Sequence, residues 1–366
     1  MKTLLLILIF CTLAIAKDTH LKSKVEAIRA SYELPSLSGA YTNNLEVKKI
    51  VSTGLRRIDQ KTKIKTSDKF HLGSCGKAMT ATLVALLVDE GKLKWNQSIS
   101  ELLPNISVHA DVAKLSFDHL LVHRSGVRRD TEDFENGWLY TVLESGLYTP
   151  PQARELIAQK VLVNKPQYRP KEKMHYSNVG YMIIGHIIEQ VTNKSFEDLI
   201  QLKIFNPLNM KSCGFGAVSQ FKNQPWGHTI IADKLIPIDD DNPPAFSPAG
   251  TIHCNLSDWS KFLRMQMNGY NKKSDFLSQA SFKKLFTHYP DKKEKYAYGA
   301  WNKTTREWAN GEVFQHSGTN TYNFANVWFA PNVNSALMGT STISSRDAFL
   351  GTDKAISELI KQFIKK

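Results

Sequence analysis

The sequence predicts a mixed α+β fold with one sheet-containing lobe and one helical lobe. An amphipathic helix at 21–32 is followed by two alternating, β-branched segments at 38–42 and 49–56, a pattern typical of paired strands. Further strand-like segments and a last amphipathic helix lie beyond residue 295. Long apolar helices occupy the chain between these groups. This order indicates a sheet lobe from which the chain departs into a second, helical lobe.

The first 16 residues have the composition of a secretory signal peptide. A basic start at Met1-Lys2 precedes an apolar stretch at 3–13 and a small-x-small site ending at Ala16. We expect cleavage after Ala16 rather than a membrane anchor, because the apolar stretch is short for spanning a bilayer. The mature protein is therefore expected to be exported, either periplasmic or secreted, with no integral membrane segment.

The charge of the chain does not point to a nucleic-acid partner. The formal net charge is +13, and removal of Lys2 with the signal peptide leaves 13 − 1 = +12. The lysines are scattered, without an arginine-rich block, zinc-ligand spacing or a nucleic-acid motif. We interpret the charge as general solvation with weak attraction to anionic polymers.

The mature chain has three cysteines, Cys75, Cys213 and Cys254. An odd number at scattered positions does not indicate a disulfide framework. Cys213 and Cys254 are able to pair in an oxidising compartment, and the sequence leaves that pairing open.

The most informative stretch is 71–82, which opens a helix that is apolar on nearly all sides. Ser74 and Lys77 lie three residues apart and therefore share one face of this helix. An ammonium on a buried face is costly unless it has a partner or a chemical role. Beside a serine hydroxyl, it can take or hold the proton when the serine attacks a carbonyl. The pair is therefore a candidate nucleophile and activator.

Two alternatives to this pair have less support in the sequence. The same Ser-x-x-Lys spacing occurs at Ser219 and Ser281, but those serines lie in polar surroundings and open no buried helix. Cys75 adjoins Ser74 and is a conceivable nucleophile, but Lys77 is only two residues from Cys75 and lies off its face. Ser74 is the preferred nucleophile.

Metal chemistry has little support in the sequence. His119 and His123 are four residues apart, as in a zinc-binding pair, but no glutamate lies between them at the required position and no third ligand is evident. The acidic run at 239–244 lacks the glycine and the distal glutamate of a calcium loop. We therefore predict neither a metal nor a cofactor.

Three short motifs occur in a characteristic order. After Ser74 and Lys77 come Tyr176-x-Asn178, at the entry of a second apolar helix, and then His316-x-Gly318 at the end of a strand. This order resembles that of the superfamily of class C β-lactamases, penicillin-binding proteins and esterases. A His-Leu-Leu-Val-His-Arg-Ser-Gly segment and a Pro-Ala-Gly segment strengthen the resemblance, which extends from about residue 20 to 364.

The resemblance implies a β-lactamase/transpeptidase-like fold, with an antiparallel sheet flanked by helices and a helical lobe beside it. After a signal peptide at 1–16, residues 17–366 would form a single catalytic domain. Its sheet lobe would comprise about 20–73 and 290–366, and its helical lobe about 74–289.

The resemblance also implies roles for the site residues. Ser74 would be the nucleophile, Lys77 a cationic activator, and Tyr176 a phenolate-type base whose pKa the lysine lowers. Asn178 would hold Lys77 and the acyl amide of the substrate. The partly charged imidazole of His316 would bind the carboxylate side of the substrate. Backbone N–H groups of Ser74 and Thr319 would form the oxyanion hole, with Gly318 allowing close approach.

Two departures from the family pattern bear on function. Gly76 stands where relatives carry a hydroxyl residue, and His316 stands where β-lactamases carry lysine. The histidine resembles that of D-amino-acid peptidases and esterases. Our leading hypothesis is an exported serine hydrolase that cleaves an amide or ester of a small molecule or peptide. The alternative is an impaired penicillin-recognising fold that acts as a binding or scaffolding protein, and a metal-dependent hydrolase has little support.

Overall fold

The computed structural model describes residues 19–130, 137, 141, 143–291 and 293–365. The predicted signal peptide lies outside the described residues. Within the described chain, no helix combines the length and the apolar character needed to cross a membrane.

The regular elements alternate along the chain much as the sequence pattern indicates. The described strands are β1 (Ser36–Asn43), β2 (Val47–Gly54), β3 (Lys69–His71), β4 (Gly214–Phe215), β5 (Gly227–Ile231), β6 (Lys234–Ile238), β7 (Ile252–Asn255), β8 (Tyr296–Ala297), β9 (Trp301–Arg306), β10 (Gly311–Thr319), β11 (Phe324–Ala330) and β12 (Ser335–Ser341). The described α-helices are α1 (19–31), α2 (Lys77–Asp89), α3 (Ile99–Leu102), α4 (Ala110–Ala113), α5 (Asp118–Leu121), α6 (Pro150–Leu162), α7 (Asn178–Thr192), α8 (Phe196–Ile200), α9 (Ser247–Gly250), α10 (Leu256–Tyr270), α11 (Gln279–Phe286) and α12 (Arg346–Phe363).

The main sheet joins the two ends of the chain. In the described residues it has seven antiparallel strands in the order β2-β1-β12-β11-β10-β9-β8. The pairing of β1 with β12, which joins the two ends of the chain, sets Ser38 opposite Thr340. The α+β class and the antiparallel sheet flanked by helices are therefore confirmed.

Glycines let helix α12 pack directly on one face of this sheet. Gly39 and Gly339 lie opposite each other in the β1–β12 pairing. A Cβ on Gly339 would lie 2.9 Å from the Cβ of Thr352, and one on Gly39 would lie 3.2 Å from Leu359 Cδ1. Side chains at these two positions would therefore push the helix away. The apolar stripe of α12 covers this face.

The core of the helical lobe is built on α2 and α7, the two helices that the sequence predicts to be buried. Leu83, Leu87, Ile184 and Ile188 are fully buried in one apolar cluster. Because so much of each helix surface is apolar, burial of both is the main contribution to the stability of this lobe. The Ser177 hydroxyl accepts a hydrogen bond from the Gly180 N–H and caps the start of α7.

A disulfide connects Cys213 and Cys254, the pair that the sequence leaves open. It links the segment before β4 to strand β7, which lies between β3 and β4 in a separate three-stranded sheet. Since β3 leads directly into the turn that carries Ser74, this small sheet is one support of the site.

Candidate active site

Ser74 lies on a single 3-10 turn, Gly73–Gly76, between β3 and α2. The turn rests directly on the end of β10. Gly73 has a φ of +49°, and a Cβ there would lie 2.3 Å from the Thr319 nitrogen. A Cβ on Gly318 would lie 2.1 Å from the Leu72 carbonyl oxygen and 2.8 Å from the Ser74 nitrogen. Both glycines are therefore required for this backbone contact, which brings the Ser74 and Thr319 amides to one place.

The Ser74 side chain faces the side-chain nitrogen of the fully buried Lys77. Lys77 Nζ lies 3.0 Å from Ser74 Oγ, 2.8 Å from Asn178 Oδ1 and 2.5 Å from the Ala249 carbonyl oxygen. The lysine is 0% exposed, whereas Ser74 is only half-buried. The structure thus gives the predicted nucleophile access from outside and places its predicted activator behind it.

Burial lowers the pKa of Lys77 to about 7, and the Asp130 carboxylate opposes this shift. A large fraction of the lysine is therefore neutral near pH 7. A neutral amine has two N–H donors and one lone pair. The oxygens of Asn178 and Ala249 can accept the two donors, which leaves the lone pair for the Ser74 hydroxyl. This geometry is that of a general base.

Tyr176 does not have the electrostatic character expected of it. Its ring lies 5.0 Å from Lys77 Nζ. Burial raises the pKa of its phenol well above the usual value, although a hydrogen bond with Ser74 acts in the opposite direction. Burial thus opposes the expected arrangement, in which a cationic Lys77 stabilises a Tyr176 phenolate. The buried pair favours a neutral amine and a protonated phenol, because burial disfavours both charged forms.

Asn178 is held at both ends of its amide. Its Oδ1 accepts from Lys77, and its Nδ2 donates to Asp130 Oδ1 at 2.5 Å. Asp130 also accepts from Arg129 Nε at 3.0 Å. The contact with Lys77 is as expected, and one of the two N–H groups of the amide is bonded to Asp130. No motif in the sequence marks Asp130 as a site residue.

His316 is buried and neutral rather than partly charged. Its Nδ1 donates to the Ser317 carbonyl oxygen at 2.7 Å, and its Nε2 accepts from the Tyr296 hydroxyl at 3.0 Å. Burial and the nearby Lys77 lower its pKa to about 3. Since both nitrogens are occupied by the protein, the imidazole does not supply the positive charge expected for a substrate carboxylate.

Cys75 has the properties of a core residue rather than a nucleophile. It is a free thiol, 2% exposed, with its sulfur 3.6 Å from the His316 carbonyl oxygen. Burial raises its pKa well above the usual value, which suppresses the reactive thiolate. These properties support the choice of Ser74 over its neighbour.

Gly76 lies at the junction of the 3-10 turn and α2. A Cβ at this position would lie 3.3 Å from Ile252 Cδ1. The Ile252 side chain thus fills the space next to Gly76. The contacts of Lys77 are intact, so the missing hydroxyl has not displaced it.

The other patterns considered in the sequence bring no second site together. Ser281 donates to Asp89, and Lys284 pairs with Asp118 instead. His119 bonds to Ser116, while His123 Nδ1 accepts from the Ser177 N–H. Among the described residues, no three potential metal ligands cluster.

Comparison with known proteins places this geometry in a family. Residues 21–359 match the family model "Beta-lactamase". The unguisins hydrolase of Aspergillus campestris is 26% identical over 268 residues, which are 68% of this chain and 48% of the relative. The chain thus spans about half the length of that relative.

Solved structures show the same fold. The octameric penicillin-binding protein homologue from Pyrococcus abyssi aligns over 94% of this chain and 77% of its own, with a TM-score of 0.77 and 21% identity. The D-amino acid amidase of Ochrobactrum anthropi aligns over 94% of this chain and 99% of its own, with a TM-score of 0.74 and 18% identity. The resemblance read from the motifs is confirmed: the chain belongs to the Beta-lactamase family.

Proposed function

We propose that the protein is an exported hydrolase that cleaves an amide or ester through an acyl-enzyme on Ser74. The observation that carries this proposal is the set of three contacts around Lys77, which orient a neutral amine toward the Ser74 hydroxyl. A serine hydroxyl is a weak nucleophile until a neighbour removes its proton. Here that neighbour is Lys77, and a base with a pKa of about 7 is well suited to accept a proton near neutral pH.

The reaction then follows from the positions of these groups. Ser74 Oγ forms a bond to the carbonyl carbon as its proton passes to Lys77 Nζ. The backbone N–H groups of Ser74 and Thr319 stabilise the oxyanion. The bond to the leaving group breaks, and the amine or alcohol departs with a proton delivered through Lys77 and the Tyr176 hydroxyl. Water then attacks the acyl carbon and gives a proton to the Tyr176 and Lys77 pair. The bond to Ser74 Oγ breaks, the acid is released, and the proton returns to Ser74 Oγ.

The neutral His316 narrows the class of substrate. A penicillin or a peptide with a free carboxylate next to the cleaved bond is best bound by a cation. His316 is buried and uncharged, so it contributes no such cation. We therefore favour amides and esters without a carboxylate at that position, which is in keeping with the similarity to a D-amino acid amidase.

The test is a panel of chromogenic esters, D-amino-acid amides and a cephalosporin, together with a fluorophosphonate label followed by peptide mass spectrometry. We expect turnover of esters or amides, and a label on the peptide that contains Ser74. An unlabelled protein that turns over nothing but retains its fold would favour the binding or scaffolding alternative. Activity that a chelator removes would favour the metal-dependent one.

Export is supported by two independent features. One is the composition of residues 1–16, and the other is the Cys213–Cys254 disulfide, a bond that persists mainly in oxidising compartments. We expect N-terminal sequencing of the secreted protein to start at Lys17. Recovery of intact Met1 in the membrane fraction would instead indicate an uncleaved anchor.

A further inference from the structure

A buried carboxylate outside the reacting groups connects the two backbone segments of the site. The side chain of Asp241 is 6% exposed and that of its partner His71 is fully buried. Asp241 Oδ2 lies 2.9 Å from His71 Nε2, and its Oδ1 accepts from Asn320 Nδ2 at 2.8 Å. His71 lies three residues before Ser74, and Asn320 directly follows Thr319.

The first arm of this connection runs to the turn that carries the nucleophile. The Gly73 N–H donates to His71 Nδ1 at 3.1 Å. Because Nδ1 is an acceptor, the ring proton of neutral His71 is on Nε2 and is donated to Asp241. The carboxylate therefore fixes the ring, and the ring fixes the amide immediately before Ser74. Gly73 also lies against Thr319 without room for a Cβ.

The second arm runs to the end of β10. With Nδ2 bonded to Asp241, the Oδ1 of Asn320 accepts from the N–H groups of Tyr322 and Asn323, at 3.3 and 2.9 Å. Asn320 is itself 3% exposed. It thus shapes the turn after Thr319, the residue whose amide belongs to the oxyanion hole in the proposed mechanism.

We propose that Asp241 is a positioning residue that keeps the Ser74 turn in register with the Thr319 strand end, a role that rests on the proposed function of that site. Position 241 requires a carboxylate, because both side-chain oxygens accept hydrogen bonds there. An amide at 241 would direct an N–H₂ group at either His71 Nε2 or Asn320 Nδ2. One arm would then be lost, while the electric charge of the reacting groups stays the same.

The Asp241→Asn variant tests this role, and Asp239→Asn is its matched control. Asp239 lies in the same acidic run, is exposed, and bonds to Ser219 rather than to the site. For Asp241→Asn we expect the rate of fluorophosphonate labelling and kcat to fall up to about 100-fold, with KM changing much less, since small displacements of reacting groups have effects of this size. The control should match the wild type in both.

A reciprocal exchange supplies the rescue. In Asp241→Asn/Asn320→Asp, the amide oxygen at 241 can accept from His71, and its N–H₂ can donate to the new carboxylate. That carboxylate can still accept from the N–H groups of Tyr322 and Asn323. The Asn242 N–H, which donates to Asp241 Oδ1 at 2.8 Å in the wild type, loses its acceptor in this variant, so the rescue is incomplete. We expect the double variant to recover a large part of the lost labelling rate, which a change acting only through net charge or burial would not predict.

Hydrogen exchange provides a readout that does not depend on catalysis. We expect Asp241→Asn, but not Asp239→Asn, to speed exchange in peptides that contain Gly73 and Asn320. Unchanged exchange and labelling in a folded Asp241→Asn variant would overturn the proposal. A wild type that is never labelled at Ser74 would overturn the proposed function instead, and the exchange result would then decide on Asp241 alone. If Asp241→Asn does not fold, Asn320→Ser, which removes only the second arm, takes its place.

Discussion

Replacing Ser74 with alanine is expected to abolish hydrolysis of every substrate that the wild type turns over. The alanine lacks the oxygen that forms the acyl bond, and the structure places no other reactive group at that position. Loss of a nucleophile of this kind reduces kcat by a factor on the order of 10⁶. The fold should be retained, because only a half-buried hydroxyl is removed. Steady-state rates on the ester and amide panel, with circular dichroism as a check of folding, measure this.

Cys75→Ala is the matched control, since it removes one heteroatom from the adjacent residue. The thiol is buried against the His316 carbonyl and has a raised pKa, so it has no route to a substrate. We expect the variant to keep most of the wild-type activity. Turnover that survives Ser74→Ala, or that disappears in a folded Cys75→Ala variant, would contradict the assignment of the nucleophile.

The main elements of the fold were predictable because their patterns are local. The strand pair near the N-terminus, the strands near the C-terminus and the two buried helices all have clear hydrophobic periodicity. The pairing of β1 with β12 required the family resemblance, since Ser38 and Thr340 are about 300 residues apart in the sequence. The sheet of β3, β7 and β4 is not predictable from local patterns. Its strands are only two to four residues long, and long stretches of chain separate them.

The sequence predicts which residues meet at the candidate site, but it does not predict their protonation states. The motifs bring Ser74, Lys77 and Asn178 together as expected, with Tyr176 beside the lysine. Their protonation depends on how deeply the folded protein buries them, which a motif does not record. The contact of Lys77 with the Ala249 carbonyl is not predictable from the sequence either, although Ala249 belongs to the Pro-Ala-Gly segment that supports the family resemblance.

The pH dependence of acylation separates the two possible bases. If Lys77 is the base, only its neutral form accepts the Ser74 proton. The wild-type kcat/KM for an ester should then rise about tenfold per pH unit below pH 7 and level off above it, because the pKa of Lys77 is about 7. Lys77→Met should lower kcat/KM by about 10²–10⁴-fold and remove this rise, since no titrating base remains.

Two further variants assign the titration to its group. Tyr176→Phe should keep the rise near pH 7, because the phenol is protonated throughout this range and is not the titrating group. Asp130→Asn should move the rise to lower pH, because the carboxylate of Asp130 raises the pKa of Lys77 and the amide would not. If instead Tyr176→Phe loses the rise and Lys77→Met keeps it, Tyr176 is the base.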